Sequence, residues 1–172
     1  MIVIHAFANN LHWRAPRSRR ILFAFVLSGK TAVPPHDHVP ATRLYNPAEL
    51  AQPPGYSHVA EIRTGVRLIF IAGQVALAAD GTLVGRDDAA AQADQVFRNL
   101  SAALSASGAS LRDVVKFTVY VRDMKDLSSY RVARDRHLPK DAPPPASTLV
   151  EVSRLFRDEF LIEVDAVAAV VN

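Results

Sequence analysis

The chain has 172 residues, and 49% of them are hydrophobic, which is enough to bury the core of one domain. It contains no cysteine, so disulfide bonds and thiolate catalysis are excluded. No stretch approaches the roughly 20 apolar residues that are needed to span a bilayer. The six histidines show no zinc-type spacing, so the sequence predicts no metal site.

Positive charge is concentrated at one end of the chain. Residues 1–36 contain five bases and no acid, whereas residues 37–172 contain 15 bases and 17 acids. The sequence pI near 9.5 therefore reflects the N-terminal segment and not the body. Because the body carries no basic stripe interleaved with aromatic side chains, neither nucleic acid nor a membrane is predicted as a partner.

The composition changes near residue 40. Before that point the chain has an Arg-rich piece, an apolar run at Ile21–Leu27 and a Pro-rich segment at Val33–Pro40. This order is typical of a secretory signal, although the apolar run is short and no A-x-A site follows it; an Arg-rich, acid-free composition also fits a transit peptide. We predict that residues 1–40 form a tail outside the folded unit and that residues 41–172 form one domain.

The first predicted elements of the body are strands. Thr42–Tyr45 is a short candidate strand. His58–Gly65 and Arg67–Ala72 show strand periodicity, and Gly65 suits a tight turn that joins them. In the second of these strands both alternating sets of side chains are apolar, which is typical of an interior strand. Asp80-Gly81 then predicts a turn.

A helix is predicted next. Asp87 and Asp88 supply a cap and negative charge at its N-terminus. Gly108 suits the left-handed residue that ends the helix. The predicted buried face recurs at helical spacing and consists of Ala89, Ala93, Val96, Phe97, Leu100, Ala103 and Leu104.

The second half of the body repeats the alternation of strand and helix. Leu111–Arg122 predicts a strand with one apolar and one polar face. Asp126 is expected to cap a second helix, which Pro139 stops near Leu138. A stiff connector follows at Pro143–Pro145. The last two predicted strands are Ser147–Val152 and Phe160–Val170.

The order of elements is β-β-α-β-α-β-β, with the short strand added at the start. This order predicts an α+β fold in which two helices cover one face of a mixed sheet of about six strands. The other face also carries large apolar groups, and no remaining element of the chain can cover it. A second subunit is therefore predicted to pack there.

Three short segments carry the clearest motifs. They are Ile71-Ala72-Gly73-Gln74, Pro145-Ala146-Ser147-Thr148-Leu149 and Leu161-Ile162-Glu163-Val164-Asp165-Ala166. In this order and at this spacing they resemble the Rid/YjgF family of small trimeric imine and enamine deaminases. The resemblance covers about residues 42–170 and includes Gln92 and Asn99 in the first helix.

The resemblance implies more than the residues show by themselves. It implies a RidA-like fold of the chorismate-mutase-like kind and a homotrimer with three clefts between subunits. It also implies a small-molecule ligand, a cytoplasmic location and a site that uses no metal or organic cofactor.

The same resemblance suggests the site residues. Tyr56 matches the site tyrosine, and Gly73 matches the glycine of an S-G-Q motif in which alanine here replaces serine. Arg131 stands at the position of a site asparagine. Glu163 matches the glutamate that positions or activates the attacking water, so it is the expected catalytic residue. The expected substrate-binding residues are Tyr56, Gly73, Ser147, Leu149 and Arg131.

Ser147 is the main departure from the family pattern, because family deaminases carry an arginine there. Hydrolysis of a 2-imino acid needs a cation that holds the substrate carboxylate, and a guanidinium does so through two charge-assisted hydrogen bonds. A serine offers one hydroxyl and no charge, so its presence would cost on the order of 2–5 kcal/mol of carboxylate binding. Weak activity on standard 2-imino acids is therefore expected. Whether Arg131 or Arg134 supplies another cation is left open.

Two functions follow from the resemblance. The first is a hydrolase of the deaminase type with altered specificity, which acts on an imine, enamine or carbonyl compound through water held by Glu163. The second is a non-catalytic ligand-binding or protein-interaction trimer. Retention of Glu163 favours the first, and loss of the arginine favours the second.

The resemblance also bears on the N-terminal tail. It begins only around Thr42–Tyr45, and a valine codon used as a start at Val39 would give a chain of the usual family length. The tail is therefore interpreted in three ways, namely a misplaced start, a targeting signal and a real but disordered tail.

Overall fold

The computed structural model describes residues 41–171 of the chain. Its strands and helices are β1 (Thr42–Tyr45), β2 (Val59–Ile62), β3 (Val66–Gln74), α1 (Ala89–Ala106), β4 (Val114–Val121), α2 (Leu127–His137), β5 (Ala146–Glu151) and β6 (Ile162–Val171). The predicted α+β fold with six strands and two helices is confirmed. The predictions for residues 1–40 lie outside the described residues, so the division of the chain at residue 40 stays a prediction.

The six strands form two sheets in place of one continuous sheet. Strands β3, β6, β4 and β5 lie side by side in that order, and β4 and β5 run parallel while the other pairs are antiparallel. Strands β1 and β2 form a separate antiparallel pair. The predicted turn at Gly65 is present, with φ 88°, but the two strands that it joins do not pair with each other, because β1 pairs with β2 and β6 pairs with β3.

Helix α1 forms as its sequence predicts. The side chain of Asp88 accepts hydrogen bonds from the backbone N–H groups of Ala90 and Ala91, both at 3.0 Å, and so caps the first turn. Gly108 adopts φ 69° just beyond the last turn. The predicted buried face is confirmed except that Ala103 is half-buried, and Gln92, which was not predicted, is fully buried.

The core lies between the helices and one face of the larger sheet. Phe117, Val119 and Val121 of β4 are buried on this face, as their alternation predicts. Phe97 of α1 packs edge-on against Phe117 and stacks on Tyr130 of α2, with ring centroids 5.9 Å apart in each pair. These aromatic contacts join both helices to the sheet.

Helix α2 begins differently from the prediction. Asp126 occupies the N-cap position, but its side chain makes no capping hydrogen bond. Asp123 instead accepts a hydrogen bond from the backbone of Lys125 within a short 3₁₀ turn that precedes the helix. The predicted stop is confirmed, because Leu138 is extended and Pro139 follows it.

The outer face of the larger sheet is not covered by any described element. At its β3 edge Leu68 and Phe70 are 46% and 75% exposed, whereas Ile69, which points to the helices, is buried. Toward β4 the same face becomes polar, with Lys116 and Glu163 half-buried. The uncovered face is therefore apolar at one side and polar at the other, and the predicted need for a cover applies to its β3 side.

Two polar side chains of α1 hold the loops around the helix. The Gln92 amide donates to the carbonyls of Gly85 and Glu159 at 3.0 and 2.8 Å, and its oxygen accepts from the N–H of Leu161 at 2.9 Å. Asn99 likewise donates to the carbonyls of two residues after β3, at 2.9 Å each. The motif residues of this helix therefore act as structural ties and not as site residues.

Replacing Gln92→Leu should lower the free energy of unfolding by about 3 kcal/mol, because buried backbone groups lose their hydrogen-bond partners while the volume hardly changes. Urea denaturation measures the effect. The same substitution at the exposed Gln52 is the matched control and should change stability by less than about 0.5 kcal/mol. Equal stability of the two variants would show that the three bonds contribute little.

Candidate functional site

Four of the predicted site residues line one cavity. Tyr56, Ser147, Leu149 and Arg131 surround a space of about 280 Å³. The remaining walls come from Pro54, Met124, Leu127, Tyr130 and Arg134. The cavity thus lies between α2, strand β5 and the loop before β2.

The loop that carries Tyr56 is fixed to the start of β5. Ser57 is buried, its hydroxyl donates to the carbonyl of Pro144 at 2.6 Å, and its N–H donates to the carbonyl of Pro145 at 3.1 Å. A parallel bridge between Ser57 and Ala146 continues this attachment. Tyr56 is therefore held beside the strand that carries Ser147, although 91 positions separate the two in the chain.

Helix α2 presents one face to the cavity. Leu127, Tyr130, Arg131 and Arg134 are spaced at i, i+3, i+4 and i+7, which places them on one side of a helix. Arg131 is exposed at the rim. The side chain of Arg134 is only 11% exposed and contacts the carboxylate of Asp135 at 2.7 Å. Of the two arginines, Arg134 lies deeper in the cavity wall.

Ser147 and Leu149 form the opposite wall. Their partners in β4 are Phe117 and Val119, which face the helices, so both residues lie under α2. Beside them, burial raises the pKa of Tyr130 to about 12, and the smaller effects of the Arg134 charge and the Ser147 hydroxyl oppose this rise. The Tyr130 hydroxyl is buried and lacks a hydrogen bond of acceptable geometry among residues 41–171.

Gly73 and Glu163 lie together at a different place. A Cβ atom on Gly73 would collide with the Glu163 carboxylate, so glycine is needed for this close approach. Burial and, to a smaller extent, the neighbouring Asp165 raise the pKa of the Glu163 carboxyl above its usual range. A carboxylate of this kind is more basic than usual and accepts a proton more readily.

The Gly73–Glu163 pair and the cavity residues lie on opposite faces of the same sheet. Glu163 pairs with Tyr120 of β4, whereas Ser147 pairs with Phe117 of the same strand. Successive side chains on a strand alternate between its two faces, so Phe117 and Tyr120, three positions apart, point to opposite faces. Glu163 therefore faces away from the helices, and Ser147 faces toward them. One copy of the chain cannot bring both groups to the same ligand.

Motif reasoning assigned no role to Tyr130 and left Arg134 as one alternative. Neither lies in the three motif segments, but Arg134 follows Arg131 at i+3 and Tyr130 precedes Arg134 by four positions, so helical spacing is the available signal. On the outer face, Lys116 donates to the Thr148 hydroxyl, and burial lowers the pKa of its ammonium although Asp165 opposes this effect.

The structure also bears on metals and membranes. Within residues 41–171, no three side chains of His, Asp or Glu are grouped so that they could hold a metal ion. Over the same range, neither helix has the length and apolar character needed to cross a bilayer.

The sequence is similar to known proteins over most of this fold. Residues 47–170 match the model of the family described as endoribonuclease L-PSP. A RutC family protein of Synechocystis is 39% identical over 101 residues, which are 58% of this chain and 76% of that protein. The 2-iminobutanoate/2-iminopropanoate deaminase of Escherichia coli is 38% identical over 82 residues, which are 47% of this chain and 63% of that enzyme.

Solved structures give the same result. The Rid family protein YyfB of Yersinia pestis is 35% identical, has a TM-score of 0.68 and aligns over 76% of this chain and 99% of its own. RidA of an Antarctic Psychrobacter is 28% identical, with a TM-score of 0.55 over 77% and 100% of the two chains. The chain belongs to the Rid family.

The match confirms the predicted resemblance to the Rid family. Ala72, Ser147 and Leu149, which the resemblance marks as departures from the motifs, therefore stand within a family fold. The motif residues have two different structural roles. Gln92 and Asn99 form hydrogen bonds that hold loops, whereas Gly73 and Glu163 lie close together on the outer face of the sheet.

The pKa of Glu163 should exceed its reference value of 4.5, and Asp165→Asn should lower it, because the substitution removes a nearby negative charge and leaves the burial unchanged. Titration followed by carboxyl ¹³C NMR measures both values. Asp158→Asn, which neutralises an exposed loop acid, is the control and should leave the pKa of Glu163 unchanged. A value at or below 4.5 in the unmodified protein would contradict this account.

Proposed function

We propose that the protein is a RidA-like homotrimer that binds small carbonyl, imine or enamine metabolites in clefts between subunits and hydrolyses them with altered specificity. The observation that best supports this proposal is that the predicted site residues lie on two opposite faces of one sheet. Each half is incomplete, and no element within residues 41–171 covers the face that carries Glu163. A second subunit that docks on this face would bring its own cavity residues to Glu163.

The apolar side of the outer face supports the assembly. Leu68 and Phe70 of β3 are exposed, and their partners across β6 are Ala169 and Val167. Side chains of this size on an uncovered sheet favour burial against another copy of the chain. Three copies around an axis would bury this surface and form three equivalent clefts.

The chemistry assigned to the cleft is addition of water to a C=N bond. Glu163 would accept a proton from water as the water oxygen bonds to the imine carbon, and that proton would pass to the nitrogen. Collapse of the carbinolamine then breaks the C–N bond and releases ammonia and a carbonyl compound. The raised pKa of Glu163 supports the role of proton acceptor, and no metal or organic cofactor is required.

The specificity is expected to differ from that of the related deaminase. The Escherichia coli relative is named for 2-iminobutanoate and 2-iminopropanoate, which carry a carboxylate. In this chain, Ser147 and Leu149 give the β5 wall of the cavity one hydroxyl and an apolar side chain. A wall of this composition favours an apolar group of the ligand against β5 and offers no cation to bind a carboxylate. The proposed location is the cytoplasm.

A non-catalytic binding protein is the second candidate. It is favoured by the absence of a cation at position 147 and by the apolar Leu149 beside it, since both changes are in the wall that would hold a ligand. In that case the cleft would bind a small molecule and release it unchanged, or would contact another protein.

The trimer should dissociate when Phe70→Asp places a charge on the apolar outer face, because a buried unpaired carboxylate opposes association. Multi-angle light scattering at micromolar concentration should give about three times 18.8 kDa for the unmodified protein and a smaller mass for the variant. Phe156→Asp, at a loop residue that is 68% exposed, is the matched control and should remain trimeric. An unmodified protein that is monomeric would remove the basis of the intersubunit cleft.

Glu163→Gln should reduce imine hydrolysis by at least about 100-fold, because the amide cannot accept a proton from water. Imines can be generated in place by an amino-acid oxidase from several amino acids, and their decay compared with decay in buffer. Glu49→Gln, at an exposed loop position, should keep full activity. Ligand binding without accelerated decay of any imine would favour the non-catalytic candidate.

A further inference from the structure

The guanidinium of Arg134 occupies an unusual position in the wall of the candidate cavity. Its side chain is 11% exposed, and it lines both the 280 Å³ cavity and a neighbouring cavity of about 330 Å³. It packs against Gly55, where an added Cβ atom would come within 2.6 Å of Nη2. The glycine therefore leaves the room that the guanidinium takes.

Within residues 41–171, Asp135 is the one charged partner of Arg134. Asp135 accepts from Nε at 2.8 Å and contacts Nη2 at 2.7 Å, but its side chain is 64% exposed. An ion pair with a solvated carboxylate contributes little. Nη1 makes no hydrogen bond within residues 41–171. A cation that is nearly buried and incompletely paired favours an anion at its free edge.

The surrounding polar groups support the same conclusion. The Tyr130 hydroxyl, on a residue that is 2% exposed, lacks a hydrogen-bond partner of acceptable geometry in the described part of the chain, and both the Arg134 charge and the Ser147 hydroxyl lower its pKa. The aliphatic wall of the cavity includes Leu127 and Leu149. The cavity therefore combines a nearly buried cation, Arg134, and an exposed one, Arg131, with three hydroxyls and an apolar surface.

We propose that Arg134 of α2 anchors a ligand carboxylate in this cavity and so takes over the role of the cation that position 147 lacks. The ligand class is a small carboxylate with an apolar body, and the inference rests on the proposed cleft but not on its catalysis. Arg131 lies on the same helix face but is exposed, so water screens its charge and it contributes less. The ligand carboxylate is therefore bound by a residue of α2 and not by a residue of β5.

The test compares two ligands of nearly the same shape, one with a carboxylate and the other with a neutral amide. Binding of pyruvate and pyruvamide to the full-length protein can be measured by ligand-observed NMR. The unmodified protein should prefer pyruvate, and Arg134→Met should weaken pyruvate binding about 10- to 100-fold while pyruvamide binding changes little. Arg134→Lys, which keeps the charge but loses the planar guanidinium that forms two parallel hydrogen bonds, should recover part of the affinity. Arg136→Met, on the same helix beside Asp94, is the matched control.

The outcomes separate this inference from the proposed hydrolase. Equal binding of pyruvate and pyruvamide by the unmodified protein would overturn the role of Arg134, even if imines are hydrolysed. Equal losses for both ligands in Arg134→Met would show a structural role beside Gly55, and undiminished pyruvate binding in that variant would also overturn the inference. A charge preference that depends on Arg134, in a protein that hydrolyses no imine, would support the anchor and refute the hydrolase.

Discussion

The alternation of side chains across the four-stranded sheet controls both the fold and the site. On β4, the residues that face the helices are buried, and those between them face outward. Because β5 and β6 pair with β4 in fixed register, the same alternation decides on which side Ser147 and Glu163 lie. A shift of either pairing by one residue would exchange the core-facing and outward sets. The hydrophobic core therefore also fixes the division of the site residues between the two faces.

The sequence predicts the elements well where periodicity and capping agree. Helix α1 shows both, with the Asp88 cap, the apolar stripe and Gly108 at its end. The sequence predicts the structure less well where a polar residue is buried in the core and forms hydrogen bonds there. Gln92 looks like a surface residue in the sequence, and only the loops that it bonds, which lie up to 69 positions away, explain its burial. Strand pairing is also non-local: the turn at Gly65 forms as predicted, but the strands on its two sides pair with β1 and β6 and not with each other.

The candidate site was predictable in composition but not in arrangement. The family resemblance identifies Tyr56, Ser147, Leu149 and Arg131, and the structure brings these four to one cavity. The resemblance does not show that Gly73 and Glu163 lie on the other face of the sheet, since that depends on the register of three strands. Arg134 belongs to none of the motif segments. Its relevance follows from its burial and from Gly55, which the chain brings close only when it is folded.

The separation of Glu163 from the arginines of α2 by the sheet has an electrostatic consequence. A guanidinium beside Glu163 would favour the ionised carboxylate and lower its pKa, whereas burial and the nearby Asp165 raise it. Placing the arginines of α2 on the opposite face of the sheet keeps their charge away from Glu163 of the same subunit. In an assembled cleft, the cation would come from one subunit and the base from another. A ligand carboxylate between them would neutralise the guanidinium before the water is activated, so the basicity of Glu163 would be preserved when it is needed.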